Sequence, residues 1–156
     1  MRSHTGIFIK LNGAPIIWFS KQQNTVESSI FGSKFIALRI ATELCQGLCY
    51  KLRSFGIPIT GPTSIFVDNQ SVFKDTTTPE SKLKKKHVAI CYHKVRECIA
   101  AGWVRIGWIT SSLNLANLFT KVLDATTWSC LLESMMTRCN PPTVTVSLAE
   151  VSIFDD

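Results

Sequence analysis

Two short apolar runs, Gly6–Leu11 and Pro15–Ser20, lie on either side of Asn12-Gly13-Ala14 near the start of the chain. A compact turn between two such runs predicts a β-hairpin. Ser28 or Ser29 then caps a helix that runs to about Ser54, with Phe31, Phe35 and Leu38 as its buried stripe and Gly56 and Pro58 as its stop. Thr63–Val67 is short, β-branched and aromatic and follows Gly61-Pro62, which predicts a buried strand. Asp68 and Asn69 suit a helix N-cap, with Gln70 to Asp75 as a short helix and Thr76-Thr77-Thr78-Pro79 as a polar loop. Apolar residues at helical spacing then predict a helix from Lys82 to Ala101, ended by Gly102, and Trp103 to Ile109 reads as a further strand. Asn114 to Lys121 and Ala125 to Met136 read as helical, so strands and helices alternate and the fold class is α/β. Trp18, Trp103 and Trp108 fall in strands and Trp128 in a helix, where core packing is the expectation for all of them.

Asp68 stands at the tip of a buried strand with a turn and a helix start behind it, a placement that serves either a cap or an outward-facing metal ligand. The surrounding blocks bear on that choice. Gly13-Ala14-Pro15-Ile16-Ile17-Trp18, Ser33-Lys34-Phe35-Ile36-Ala37-Leu38 and Val67-Asp68-Asn69-Gln70-Ser71 come first. Lys86-His87-Val88 with Tyr92-His93-Lys94-Val95-Arg96-Glu97, and Leu115-Ala116-Asn117-Leu118-Phe119-Thr120-Lys121, follow in order. Together, from about Arg2 to about Leu132, they resemble the carboxy-terminal RNase H domain of copia-type retrotransposon polyproteins.

The resemblance implies an RNase H-like mixed sheet flanked by helices, and hydrolysis of the RNA strand of an RNA/DNA hybrid by two magnesium ions. Such a pair of hard cations needs several converging carboxylates. The family pattern has four acids. The first would lie on an opening strand that falls before Met1. The second, a Glu, is matched by Lys34; the third by Asp68 itself; the fourth, an Asp, by Asn117. Asp68 is then the one retained catalytic and metal-binding acid, and a lysine beside it competes for its carboxylate and repels a divalent ion by several kcal/mol at an intermediate dielectric. Glu43, nine residues past Lys34, is rotated to roughly the opposite helix face, and Glu27 lies about two turns before it. The expectation is a catalytically defective remnant to which magnesium does not bind. The alternative is an active hybrid endoribonuclease, with an upstream reverse transcriptase region of a longer polyprotein supplying the first strand and its Asp. A domesticated protein-interaction module has no feature in its favour.

The resemblance assigns 1–137 to one domain, truncated at its N-terminal side, and leaves 138–156 as a divergent tail expected to be flexible. In the family the missing strand is central. Its loss leaves two strand edges whose backbone groups are costly to bury unpaired. Thr143-Val144-Thr145-Val146-Ser147-Leu148, after Pro141-Pro142, is the best strand candidate to close that gap.

Charge and composition sharpen this reading. The 156 residues amount to one domain with 46% hydrophobic residues, no signal peptide and no apolar run approaching a membrane span, which fits an intracellular protein without a membrane partner. The net charge of +6 is concentrated at Lys82, Lys84, Lys85, Lys86, Lys94 and Arg96. A run of this kind is commonly a solvated face. In a relative of a hybrid-binding enzyme it becomes a candidate phosphate-contacting surface, giving weak, salt-sensitive and sequence-independent binding to an RNA/DNA hybrid or other nucleic acid. Six cysteines without a CxxC pair read as reduced thiols used in packing, and Cys45 and Cys49 with His87, Cys91 and His93 lack the paired spacing of a zinc site.

Overall fold

In a computed structural model, which describes residues 4–24, 30–78, 88–136 and 147–154, the chain forms one five-stranded mixed sheet with helices on both faces. The predicted hairpin is β1 (His4–Leu11) paired antiparallel with β2 (Ala14–Gln22). Asn12 and Gly13 both have positive φ, 52° and 81°, the conformation in which a two-residue turn matches the twist of its strands. The long helix α1 (Ile30–Ser54) ends in a Schellman cap: Gly56 at φ 76° donates to the Arg53 carbonyl and Ile57 donates back to Leu52. Ser28 and Ser29, its expected caps, lie outside the described residues.

Strand β3 (Thr63–Val67) matches its predicted span, and α2 (Gln70–Thr77) follows it. The basic helix is observed as α3 (Ala89–Ala100); residues 79–87, with Lys82, Lys84, Lys85 and Lys86, lie outside the described residues. Gly102, at φ 71°, closes α3 with a second Schellman cap and turns the chain into β4 (Val104–Trp108), parallel to β3. The helix expected over Asn114 to Lys121 is a tighter 3-10 turn, Leu115–Phe119, with the Asn114 side chain capping the Ala116 amide. Helix α4 (Ala125–Met136) has its predicted bounds.

The expectation of a sheet lacking its central strand is corrected. Strand β5 (Ser147–Phe154) runs between β1 and β3, antiparallel to the first and parallel to the second, giving the order β2-β1-β5-β3-β4. It lies beyond the expected domain boundary at 137 and overlaps the strand candidate Thr143–Leu148 at Ser147 and Leu148; residues 143–146 are outside the described set. The physical reason is the one that made the gap costly: the inner edges of β1 and β3 obtain backbone partners.

The two faces of the sheet are covered unequally. On one, Ile7, Ile9, Ile65, Val67, Val104 and Ile106 pack against α1 and α3 through Phe35, Leu38, Tyr92 and Val95. On the other, a smaller cluster joins Phe8 to Leu115, Ala116 and Leu131. The expected burial of the tryptophans is corrected accordingly. Trp18 pairs with Phe8 and is 58% exposed, and Trp108 and Trp128 are also exposed, while Trp103 is half-buried against the Tyr50 ring and under the Arg53 guanidinium. Cys45, Cys49, Cys91 and Cys98 are free thiols in the core, and burial pushes the Cys45 thiol up to about 12. No helix among the described residues is long and apolar enough to cross a membrane.

Candidate functional site

The site is built where β3 ends. Capping of α2 falls to Asn69, whose side-chain oxygen accepts from the Val72 amide at 3.0 Å. That leaves the Asp68 carboxylate to project past the strand tip, as a metal ligand would, rather than to close a turn. Its surroundings are cationic. The Lys34 ammonium, carried on α1, donates to Oδ1 at 3.1 Å, and the Lys121 ammonium lies 3.7 Å from Oδ2. The Asp68 side chain is 5% exposed, against 15% for Lys34 and 24% for Lys121.

Asn117 completes the arrangement indirectly. Its amide nitrogen donates to the Ser111 hydroxyl at 3.2 Å and also to the Ser111 carbonyl. The same hydroxyl accepts from Lys121 at 2.9 Å and donates to Asp68 Oδ2 at 3.4 Å. One O–H and two lone pairs are thereby all used, so Ser111 ties the three side chains together. The 3-10 turn carrying Asn117 can sit this close to β1 because Gly6 has no side chain. A Cβ there would come within 2.5 Å of Thr120 and 2.8 Å of the Ala116 carbonyl oxygen.

Lys34, Asp68 and Asn117, matched one at a time in the sequence, therefore meet in one hydrogen-bonded cluster, Asn117 through Ser111. Lys121 and Ser111 were missed as site residues. Lys121 was read only as part of a closing motif, and Ser111, in an irregular segment, carried no signal. Glu43 is held on the α1 surface by Arg39 at 2.8 Å and does not join them, and Glu27 lies outside the described residues. On α3, Lys94 makes a loose surface pair with Glu97 at 3.9 Å. Arg96 donates to the Tyr92 hydroxyl at 2.6 Å and to the Thr78 carbonyl at 3.2 Å, so it braces α3 against the end of α2.

This donor set does not fit a pair of magnesium ions. Octahedral magnesium is held through carboxylates and waters, and here one carboxylate is shared between two ammoniums, beside an amide whose N–H₂ group faces Ser111. A separate cavity of about 410 Å³, lined by Phe19, Ile36, Ile40, Thr5, Lys21 and Gln23 among others, does not include Asp68. Gln23 donates from its amide nitrogen to Thr5 and to the Ser33 carbonyl, and its oxygen is buried without a hydrogen-bond partner.

This chain is similar, at low identity, to retrovirus-related Pol polyproteins of plant transposons. It is 28% identical over 140 residues to the retrovirus-related Pol polyprotein from transposon RE1 of Arabidopsis thaliana, covering 90% of this chain and 10% of that protein. It is 28% identical over 122 residues to the corresponding polyprotein from transposon RE2 of the same plant, covering 78% of this chain and 8% of that one. It is 26% identical over 125 residues to that from transposon TNT 1-94 of Nicotiana tabacum, covering 78% and 9%. The chain thus spans about a tenth of the length of these relatives. No family model matches it, and no solved structure does.

Proposed function

We propose that this chain, related to retrotransposon Pol polyproteins, is a remnant of a copia-type RNase H domain that has lost hydrolysis of RNA/DNA hybrids and keeps weak, sequence-independent affinity for nucleic acid. One observation carries the reading: the one carboxylate that the described residues bring to the site is held between the ammoniums of Lys34 and Lys121. A divalent ion would have to displace two ammoniums and then remain beside them, and each such repulsion amounts to several kcal/mol at an intermediate dielectric. Among the described residues no group of three or more His, Cys, Asp or Glu side chains converges to hold the ions that activate a water in two-ion hydrolysis.

Affinity for nucleic acid is supported by the net charge of +6 and by Lys94, half-buried on α3 and only loosely paired with the exposed Glu97. Arg96 belongs to that surface less readily, since it is engaged with Tyr92 and Thr78. The alternative of a working enzyme inside a longer polyprotein draws on the length of the relatives. It requires an upstream strand to take the place between β1 and β3, which β5 occupies in this chain. The test is incubation of the purified chain with an RNA/DNA hybrid and magnesium. The expected result is intact RNA; magnesium-dependent cleavage that vanishes in Asp68→Asn overturns the proposal.

A further inference from the structure

The mismatch with a divalent-ion site is itself informative, because the cluster around Asp68 is layered by charge. Asp68 is its floor, the most buried of the three charged groups, and Lys34 and Lys121 form the rim, each against one carboxylate oxygen. Two ammoniums and one carboxylate sum to +1, and the adjoining Ser111 and Asn117 are neutral. We propose that Lys34 and Lys121 form a magnesium-independent site for one phosphoryl oxyanion, seated on the rim above Asp68.

An anion arriving from solvent meets the cations before the carboxylate. Coulomb energy falls with distance, so two near ammoniums outweigh one deeper carboxylate. Lys34 carries three N–H bonds and directs one to Asp68 Oδ1. Lys121 is fixed by Ser111, which Asn117 in turn orients, so the rim is preorganised rather than assembled on binding. Both contacts to the ligand would be charge-assisted hydrogen bonds, the type that serves phosphate best. Where metal ions would bridge protein carboxylates to a phosphate, the tethered ammoniums contact it directly. As a site for a nucleic-acid backbone phosphate this rests on the function proposed above; as a site for free phosphate it does not.

The test uses the whole chain with isotope-labelled lysine side chains, titrated with inorganic phosphate in EDTA and again with magnesium. Lys34→Gln and Lys121→Gln supply the assignments, and their melting curves report folding. The expected result is saturable shifts of both lysine resonances, unimproved by magnesium, with affinity reduced about tenfold in either variant, as for loss of one charge-assisted hydrogen bond. Resonances that do not respond to phosphate in the unsubstituted chain overturn the site, whatever the variants do. A second arm measures binding of a short RNA/DNA hybrid in EDTA, with Lys51→Gln on the far end of α1 as the charge control. Parallel loss in the Lys34 and Lys121 variants alone supports the backbone source. Phosphate shifts without any hybrid binding support the site with free phosphate as ligand and defeat the nucleic-acid reading. Hybrid binding equal in all variants overturns the backbone source.

Discussion

Lys34 and Lys94 are the same residue in two settings. Lys34 ends 3.1 Å from a carboxylate that is 5% exposed, while Lys94 reaches an exposed Glu97 at 3.9 Å on the surface of α3. Taking a carboxylate out of water without a partner costs several kcal/mol, so its counter-charge is structurally required. A solvated pair gains little, because water screens both ends and holding two long side chains together costs entropy. The lesson is that the Lys34 ammonium is tied to the fold by the buried carboxylate it accompanies, whereas the Lys94 ammonium, loosely paired on the surface of α3, contributes little to holding the structure together.

Several substitutions can break or sharpen that contrast. The largest effect belongs to Asp68→Ala, which leaves Lys34 and Lys121 facing each other; a loss of about 3 kcal/mol is expected by urea denaturation, at the lower end for a broken buried pair because both lysines reach solvent. Gly6→Ala forces β1 and the 3-10 turn apart against a backbone oxygen, at an expected cost of about 1–3 kcal/mol. Hydrogen exchange over 111–121 should rise with it, since Ser111 and Lys121 lose their support. Asn69→Ala removes the α2 cap, and about 1 kcal/mol should go without any change in the Lys34 contact. Lys94→Ala should move stability by no more than about 0.5 kcal/mol, and high salt should erase even that difference. If Asp68→Ala proved as mild as Lys94→Ala, the distinction between the two lysines would collapse.

Legibility in the sequence followed how local each signal was. The hairpin could be read because Asn12-Gly13 dictates its own turn, and β3 because a short β-branched and aromatic segment bounded by Pro62 and Asp68 has one sensible conformation. Trp18 was misjudged since Pro15–Phe19 is apolar throughout, so the run does not say which face meets the thick core; the answer came from α1 and α3 covering the opposite side. The strand candidate Thr143–Leu148 overlaps β5 at Ser147 and Leu148 but did not extend to Phe154, because the register of β5 is set by partners more than 80 residues away in β1 and β3. At the site, Asp68, Lys34 and Asn117 were found by position. Lys121 needed the close approach at Gly6 to bring it to Asp68, a long-range packing fact with no sequence pattern of its own.

The most direct test of the central claim, that two ammoniums occupy the place of divalent ions at Asp68, is isothermal titration of the chain with magnesium beside Asp68→Asn. The account predicts no binding heat that depends on Asp68. A two-ion isotherm abolished by Asp68→Asn contradicts it.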